Sequence, residues 1–152
     1  MKALEFSLPD QNGTIRSLAD YKGQWLVLYF YPKDNSPGCT KEACNFRDAR
    51  DQIASLGNSV VVGVSKDSPA SHLLFIEKHN LNFTLLSDES GDMITSYKSW
   101  GEKKFMGKTY QGILRNTFII NPAGEIVREY LGVNPVTHAA QIITDLQELQ
   151  KS

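Results

Sequence analysis

Cysteine is scarce in this chain: 152 residues include only Cys39 and Cys44. Two sulfur ligands do not close a structural zinc site, which takes four. The four residues between the cysteines are too many for the C-x-x-C pair of a disulfide-exchange enzyme. The histidines are also few. His72, His79 and His138 show no ligand spacing, so no metal site is expected, and each is expected at the surface or at an edge. Long apolar runs are missing as well. With no stretch of 18 apolar residues, no membrane span is expected. Neither sign of charge dominates; a formal net charge of −1 argues against bulk attraction to nucleic acid or an anionic membrane. Near the N-terminus, Pro9 and Asp10 stand where a signal peptide needs its apolar stretch. The expected location is therefore the cytosol, where two cysteines are expected to be reactive or incidental rather than a structural staple.

What the chain does contain is an alternation of strand and helix patterns, without internal repeats or linkers. Its length suits one domain, 1–152, with one continuous core. "WLVLYFY" (25–31) and "SVVVGVS" (59–65) are short apolar runs of the kind buried on both faces of a parallel sheet. Between them, Cys39, Ala43, Phe46, Ile53 and Leu56 recur at helical spacing, which predicts a helix from about Pro37 to Leu56 and hence a right-handed βαβ unit. "PDQNG" (9–13) marks a turn. A second helix is expected over 68–80, with Ser68 as its cap and Pro69 at its first position. "NFTLLSD" suggests a strand and "ESGDMITSYKSW" a short helix. "RNTFIINPAGEIVREYLG" reads as an antiparallel hairpin around Asn-Pro-Ala-Gly, and "PVTHAAQIITDLQELQ" as a closing amphipathic helix. The sum is a three-layer α/β fold with a mixed sheet.

Ser36 before Pro37 is a strong helix-start signal. It places Cys39 in the first helical turn, at the C-terminal end of a strand, where open α/β sheets bind ligands. Free backbone N–H groups and the positive end of the helix dipole favour a thiolate there. Gly38 leaves space for a small substrate to approach the backbone. Cys44 falls on a different face, with Thr40, Arg47, Asp48 and Asp51. Five positions along a helix separate two α-carbons by roughly 8.6 Å, whereas a disulfide needs about 4.4 to 6.8 Å. Either Cys44 is incidental, or the start of the helix unwinds to let the thiols meet, an opening that costs far less than global unfolding.

These residues resemble a known family. "PKDNSPGC" fits the pattern P-x-x-x-[TS]-x-x-C of the peroxiredoxins through Pro32, Ser36 and Cys39. "LYFYPKDNSPGCTKEA" and "WGEKKFMGKTYQGILRNTFIINPAGEI" are similar to segments of the bacterioferritin comigratory protein, or peroxiredoxin Q, subgroup. The resemblance implies a thioredoxin-like fold, three-layer α/β/α with a central mixed sheet, and reduction of hydrogen peroxide and organic hydroperoxides without metal or organic cofactor. It implies Cys39 as the peroxidatic cysteine and Cys44 as the resolving cysteine, joined in an intramolecular disulfide that thioredoxin reduces. It implies Pro32 as the cover over the thiolate, Arg115 as the polarising arginine and Glu42 as the group that orients it. Ser36 stands where most members carry threonine, so the hydroxyl is kept and a methyl is lost. The subgroup also implies a monomer. Three other readings use the same residues: a disulfide oxidoreductase acting on proteins, a peroxidase with Cys44 idle, and a redox adaptor that passes oxidation to a partner.

Overall fold

The computed structural model describes residues 2–151. A small antiparallel hairpin, β1 (Ser7–Pro9) and β2 (Ile15–Ser17), comes first. Its turn is held by Asp10, whose carboxylate accepts from the backbone N–H of Asn12 and Thr14 and from Arg16 Nε. The chain then runs through β3 (Trp25–Phe30), α1 (Pro37–Ser55), β4 (Ser59–Ser65), α2 (Pro69–His79), β5 (Thr84–Ser87) and α3 (Asp92–Ser96). A hairpin of β6 (Trp100–Phe105) and β7 (Lys108–Ile113) follows, then β8 (Thr117–Ile120), β9 (Ile126–Tyr130) and α4 (His138–Lys151).

The central sheet has the order β5-β4-β3-β8-β9. β3 pairs in parallel with β4, and β4 with β5, while β8 and β9 are antiparallel to their neighbours. The apolar runs form the inner strands because both of their faces are covered. On one face Val27, Tyr29, Val61, Leu85 and Ile119 meet α1, α2 and α4. On the other, Leu26, Leu28, Phe30, Val62 and Phe118 meet α3 and the N-terminal segment. Burying each such side chain is worth about 1.5 to 3 kcal/mol. The second layer is thinner than a full helical layer, since α3 is one short helix. Gly63 admits the Tyr29 ring: a Cβ there would sit 2.9 Å from its Cζ. That space lets Tyr29 stack on Phe46 of α1, with ring centroids 4.9 Å apart. Among the described residues no helix is long and apolar enough to cross a membrane.

The expected elements are present, with three differences. The β6–β7 hairpin was not foreseen from the sequence pattern. Its strands carry Glu102, Lys103, Lys104 and Lys108, with 108–111 exposed, and its turn places Met106 and Gly107 at φ 52° and 78°, a conformation that usually draws Asn-Gly. The last helix begins at His138 rather than near Pro135, because residues 135–137 form a turn in which Asn134 Oδ1 accepts from Val136 N. Two histidines expected outside are inside: His72 and His138 are fully buried. His72 shares the inward stripe of α2 with Phe75. The His138 ring packs edge-on against Phe46 and Tyr130.

Candidate active site

Cys39 lies in the first turn of α1, three residues after Ser36, and is buried. Its position follows from β3: the strand ends at Phe30, and a short loop over 31–36 carries the chain to the helix start. Asn35 turns this loop with φ 64°, a left-handed value that Asn tolerates better than most residues. Ser36 occupies the cap position, but its side chain does not cap the helix. Its hydroxyl donates to Lys33 O at 3.0 Å, while its carbonyl accepts from Thr40 N at 2.8 Å. The expectation of a side-chain cap is therefore corrected: the hydroxyl tightens the loop instead. Pro32 is half-buried at the start of the same loop.

Arg115 lies two residues before β8, whose start pairs with the end of β3. Its Nη2 donates to Cys39 Sγ at 3.2 Å and its Nη1 to Glu42 Oε1 at 3.2 Å. One guanidinium thus joins the thiol to a carboxylate one turn further along α1. An arginine cannot accept a hydrogen bond, so the sulfur is the acceptor. Gly38 has a different part from the one its small size suggested. A Cβ at this position would lie 2.7 Å from Arg115 Nη2, so the missing side chain makes room for the guanidinium rather than for substrate alone.

Glu42 is almost completely buried. Burial raises its carboxyl from 4.5 to about 7, with Arg115 opposing the shift. Its second oxygen, Oε2, has no hydrogen-bond partner among the described residues. The Arg115 backbone is pinned by its neighbours. Its carbonyl accepts from Val133 N at 2.9 Å. The adjacent Asn116 is buried; its carbonyl accepts from Phe30 N, and its side chain bonds Ser99 Oγ and Gly132 N. Asn116 therefore ties the end of β3, the start of the β6–β7 hairpin and the loop after β9 to the residue that aims the guanidinium.

Lys103 on β6 was not singled out by the sequence. Its Nζ donates to Ile113 O at 2.9 Å. Burial and the charge of Arg115 lower its ammonium, while Cys39 opposes this. It is a second cation within electrostatic reach of the sulfur. The signal that could have found it is the register Lys103↔Tyr110 of the hairpin, which was not legible without the turn.

Cys44 is half-buried, and both thiols are free. The two cysteines lie within one continuous helix, so their sulfurs stand on different flanks, as the spacing predicted. Nearby on α1, Arg47 Nη1 donates to His79 O at 2.6 Å. The structure thus brings Cys39, Glu42 and Arg115 together, sets Ser36 in the adjoining loop, and leaves Cys44 apart.

The chain and its fold have counterparts among known proteins. A model of the AhpC/TSA family matches residues 1–129. The chain is 43% identical over 150 residues to Peroxiredoxin Bcp of Bacillus subtilis, covering 99% of this chain and 95% of the relative. It is 44% identical over 146 residues to Peroxiredoxin Bcp of Escherichia coli, covering 96% and 93%. The fold superposes on Xanthomonas campestris Peroxiredoxin Q with a TM-score of 0.89 at 34% identity, covering 95% of this chain and 91% of that one. A Xanthomonas campestris bacterioferritin comigratory protein, studied for alkyl peroxide reduction, gives the same TM-score at 33% identity, covering 95% and 92%.

Proposed function

Because the chain belongs to the AhpC/TSA family and is a peroxiredoxin, we propose that it reduces hydrogen peroxide and organic hydroperoxides through Cys39, with Cys44 as the resolving thiol. The observation that carries this reading is the bridge from Arg115 to Cys39 Sγ and Glu42 Oε1.

The Cys39 thiolate attacks the distal peroxide oxygen. The S–O bond forms as the O–O bond breaks, leaving a sulfenic acid and a hydroxide or alkoxide that takes up a proton. Negative charge develops on the leaving oxygen. Arg115 and the free N–H groups of the first helical turn stabilise it, joined by the Ser36 hydroxyl once that turns from Lys33 O, while Pro32 shields the sulfur from bulk water. Glu42 orients the guanidinium. The start of α1 then unwinds, and the Cys44 thiol displaces water from the sulfenic acid to form an intramolecular disulfide. Thioredoxin, an external dithiol, returns both cysteines to thiols by exchange. No step calls for a metal or organic cofactor. The reading takes the chain as one domain acting as a monomer in the cytosol, since a bond closed within one chain needs no second subunit and the cycle needs a reducing pool.

The test is steady-state peroxide reduction with thioredoxin, thioredoxin reductase and NADPH. Cys39→Ser is expected to abolish turnover; a Cys39→Ser protein that consumed peroxide at the normal rate would sink the scheme. Insulin-type disulfide reduction without peroxide consumption would instead favour the protein-disulfide reading.

A further inference from the structure

Beneath the loop that leads into α1 lies a buried polar cluster built on Asp34 and His72. Asp34 Oδ1 accepts from the Tyr31 hydroxyl at 2.6 Å, and Oδ2 accepts from Ser71 Oγ at 2.8 Å. His72 Nδ1 is 2.8 Å from the same Oδ2, and the Asp34 backbone N–H donates to Asp67 Oδ2 at 2.9 Å. Asp67 Oδ2 also accepts from Ser65 Oγ, at 2.7 Å. Both Asp34 and His72 are buried. The cluster gathers the C-terminal ends of the three parallel strands: Tyr31 follows β3, Ser65 ends β4, and Leu86 lies in β5.

The hydrogen-bond pattern fixes one proton position. His72 Nε2 is 3.0 Å from Leu86 O, and a carbonyl can only accept, so Nε2 carries a proton. His72 Nδ1 faces Asp34 Oδ2, and the Tyr31 hydroxyl lies 3.3 Å from the same nitrogen. Asp34, Asp67 and His72 also lie within 4.8 Å of one another. The carboxylate oxygens at the centre of the group already face N–H and O–H donors, so hydrogen bonding accounts for the cluster. Such a fully satisfied buried network rigidifies what it holds.

What it holds is the segment that carries Pro32 and Ser36. Just past Asp34 the chain turns at Asn35 and enters the helix. On the far side of the cysteines, Arg47 is anchored by its bond to His79 O and by Asn82 Nδ2 donating to Arg47 O at 3.2 Å. Asn45 Nδ2 is tied to Val136 O at 3.0 Å. The residues between these anchors, Pro37 to Cys44, are those that must rearrange if Cys39 and Cys44 are to bond. We propose that Asp34 and His72 are positioning residues: their clamp keeps the loop 32–36 in place throughout the cycle and confines unwinding to the stretch between it and Arg47. This rests on the two-cysteine cycle proposed above.

The experiment follows single-amide hydrogen exchange by NMR in the reduced and the peroxide-oxidised protein, with mass spectrometry to establish the Cys39–Cys44 bond in the oxidised sample. The Asp34 amide is expected to keep its protection while Thr40 to Cys44 lose theirs by at least roughly tenfold. If the disulfide forms and Asp34 exchanges as fast as Thr40, the clamp is overturned. If no disulfide forms, the two-cysteine cycle fails, and the clamp as stated falls with it. Two variants give a second measure. His72→Leu is expected to slow the peroxide step about tenfold or more without slowing disulfide closure. His72→Asn, which keeps a donor near the Nδ1 position, is expected to restore most of that loss. Equal slowing of both steps in His72→Leu, or normal peroxide rates in the folded variant, overturns the proposal. Where His72→Leu does not fold, His72→Asn and the wild-type exchange data decide.

Discussion

The guanidinium of Arg115 lies over the α-carbon of Gly38 so closely that a single methyl there would come 2.7 Å from Nη2. The glycine one residue before the reactive cysteine thus belongs to the arginine's seat.

Gly38→Ala separates activity from stability. Gly38 sits inside the first turn of α1, where alanine is the better helix former by about 0.5 to 1 kcal/mol. The methyl displaces the flexible end of Arg115 from Cys39 Sγ. The expected outcome is an unchanged or higher melting temperature with a peroxide step roughly 10- to 100-fold slower, the scale of a misplaced catalytic group. Stopped-flow peroxide kinetics beside thermal unfolding check it. Arg115→Lys, which cannot bridge both partners with a planar fork, should slow the same step.

Glu42 sets one part of the pH dependence of stability. In the unfolded chain its carboxyl ionises near 4.5, and in the folded protein only near 7. Below about 4.5 it is neutral in both states. Between these values the folded state holds the extra proton, so stability from this group falls as pH rises, and the full cost is present above about 7. Glu42→Gln should therefore match the wild type near pH 4 and exceed it above pH 7. The expected gain is about 3 kcal/mol, at ~1.4 kcal/mol per pKa unit. Denaturant unfolding at the two pH values measures it; equal stability at pH 8 would contradict it.

His138 works in the opposite sense. Burial pushes its imidazole from 6.5 down to about 4, with Gln141 and Asp145 opposing. Its stabilising contribution is complete above 6.5 and is lost as pH falls toward 4, because the unfolded chain takes up the proton first. His138→Phe keeps an aromatic ring against Phe46 and Tyr130 and removes the titration. The variant's unfolding free energy should decline less than that of the wild type between pH 6.5 and 4, by about 3 kcal/mol.

Oxidation should weaken α1. A bond between Cys39 and Cys44 is incompatible with the continuous helix over 37–55, by the helix and disulfide geometries. Peroxide-treated wild type is expected to lose both free thiols, to lose two hydrogens in mass, and to show reduced helical ellipticity. Cys44→Ser should keep the peroxide step, accumulate sulfenic acid and lose thioredoxin-supported turnover. Full turnover in that variant would mean that Cys44 is idle.

Much of the fold was legible because it rests on local rules. The apolar runs at 25–31 and 59–65 have few ways to be buried, and Ser68-Pro69 marks a helix start that the structure reproduces, with Ser68 Oγ accepting from Ser71 N. The hairpin at 100–113 was hidden because Met106 adopts a positive φ that its side chain does not advertise. His72 was hidden for another reason. Its helical phase with Phe75 pointed inward, but a buried imidazole becomes acceptable only when a partner such as Asp34, 38 residues away, meets it.

Taken alone, the sequence determined that Cys39 begins a helix at the end of a strand and that Cys44, five positions on, cannot bond to it while that helix stands. Both statements follow from the period and rise of one helix. Only the tertiary structure decided how the sulfur is surrounded. It brought Arg115 across 76 residues onto Sγ, turned the Ser36 hydroxyl to Lys33, and closed Asp34 against His72. Those contacts depend on the packing of separate elements, where the approach of buried charges and donors is set by the whole core rather than by neighbours in the chain.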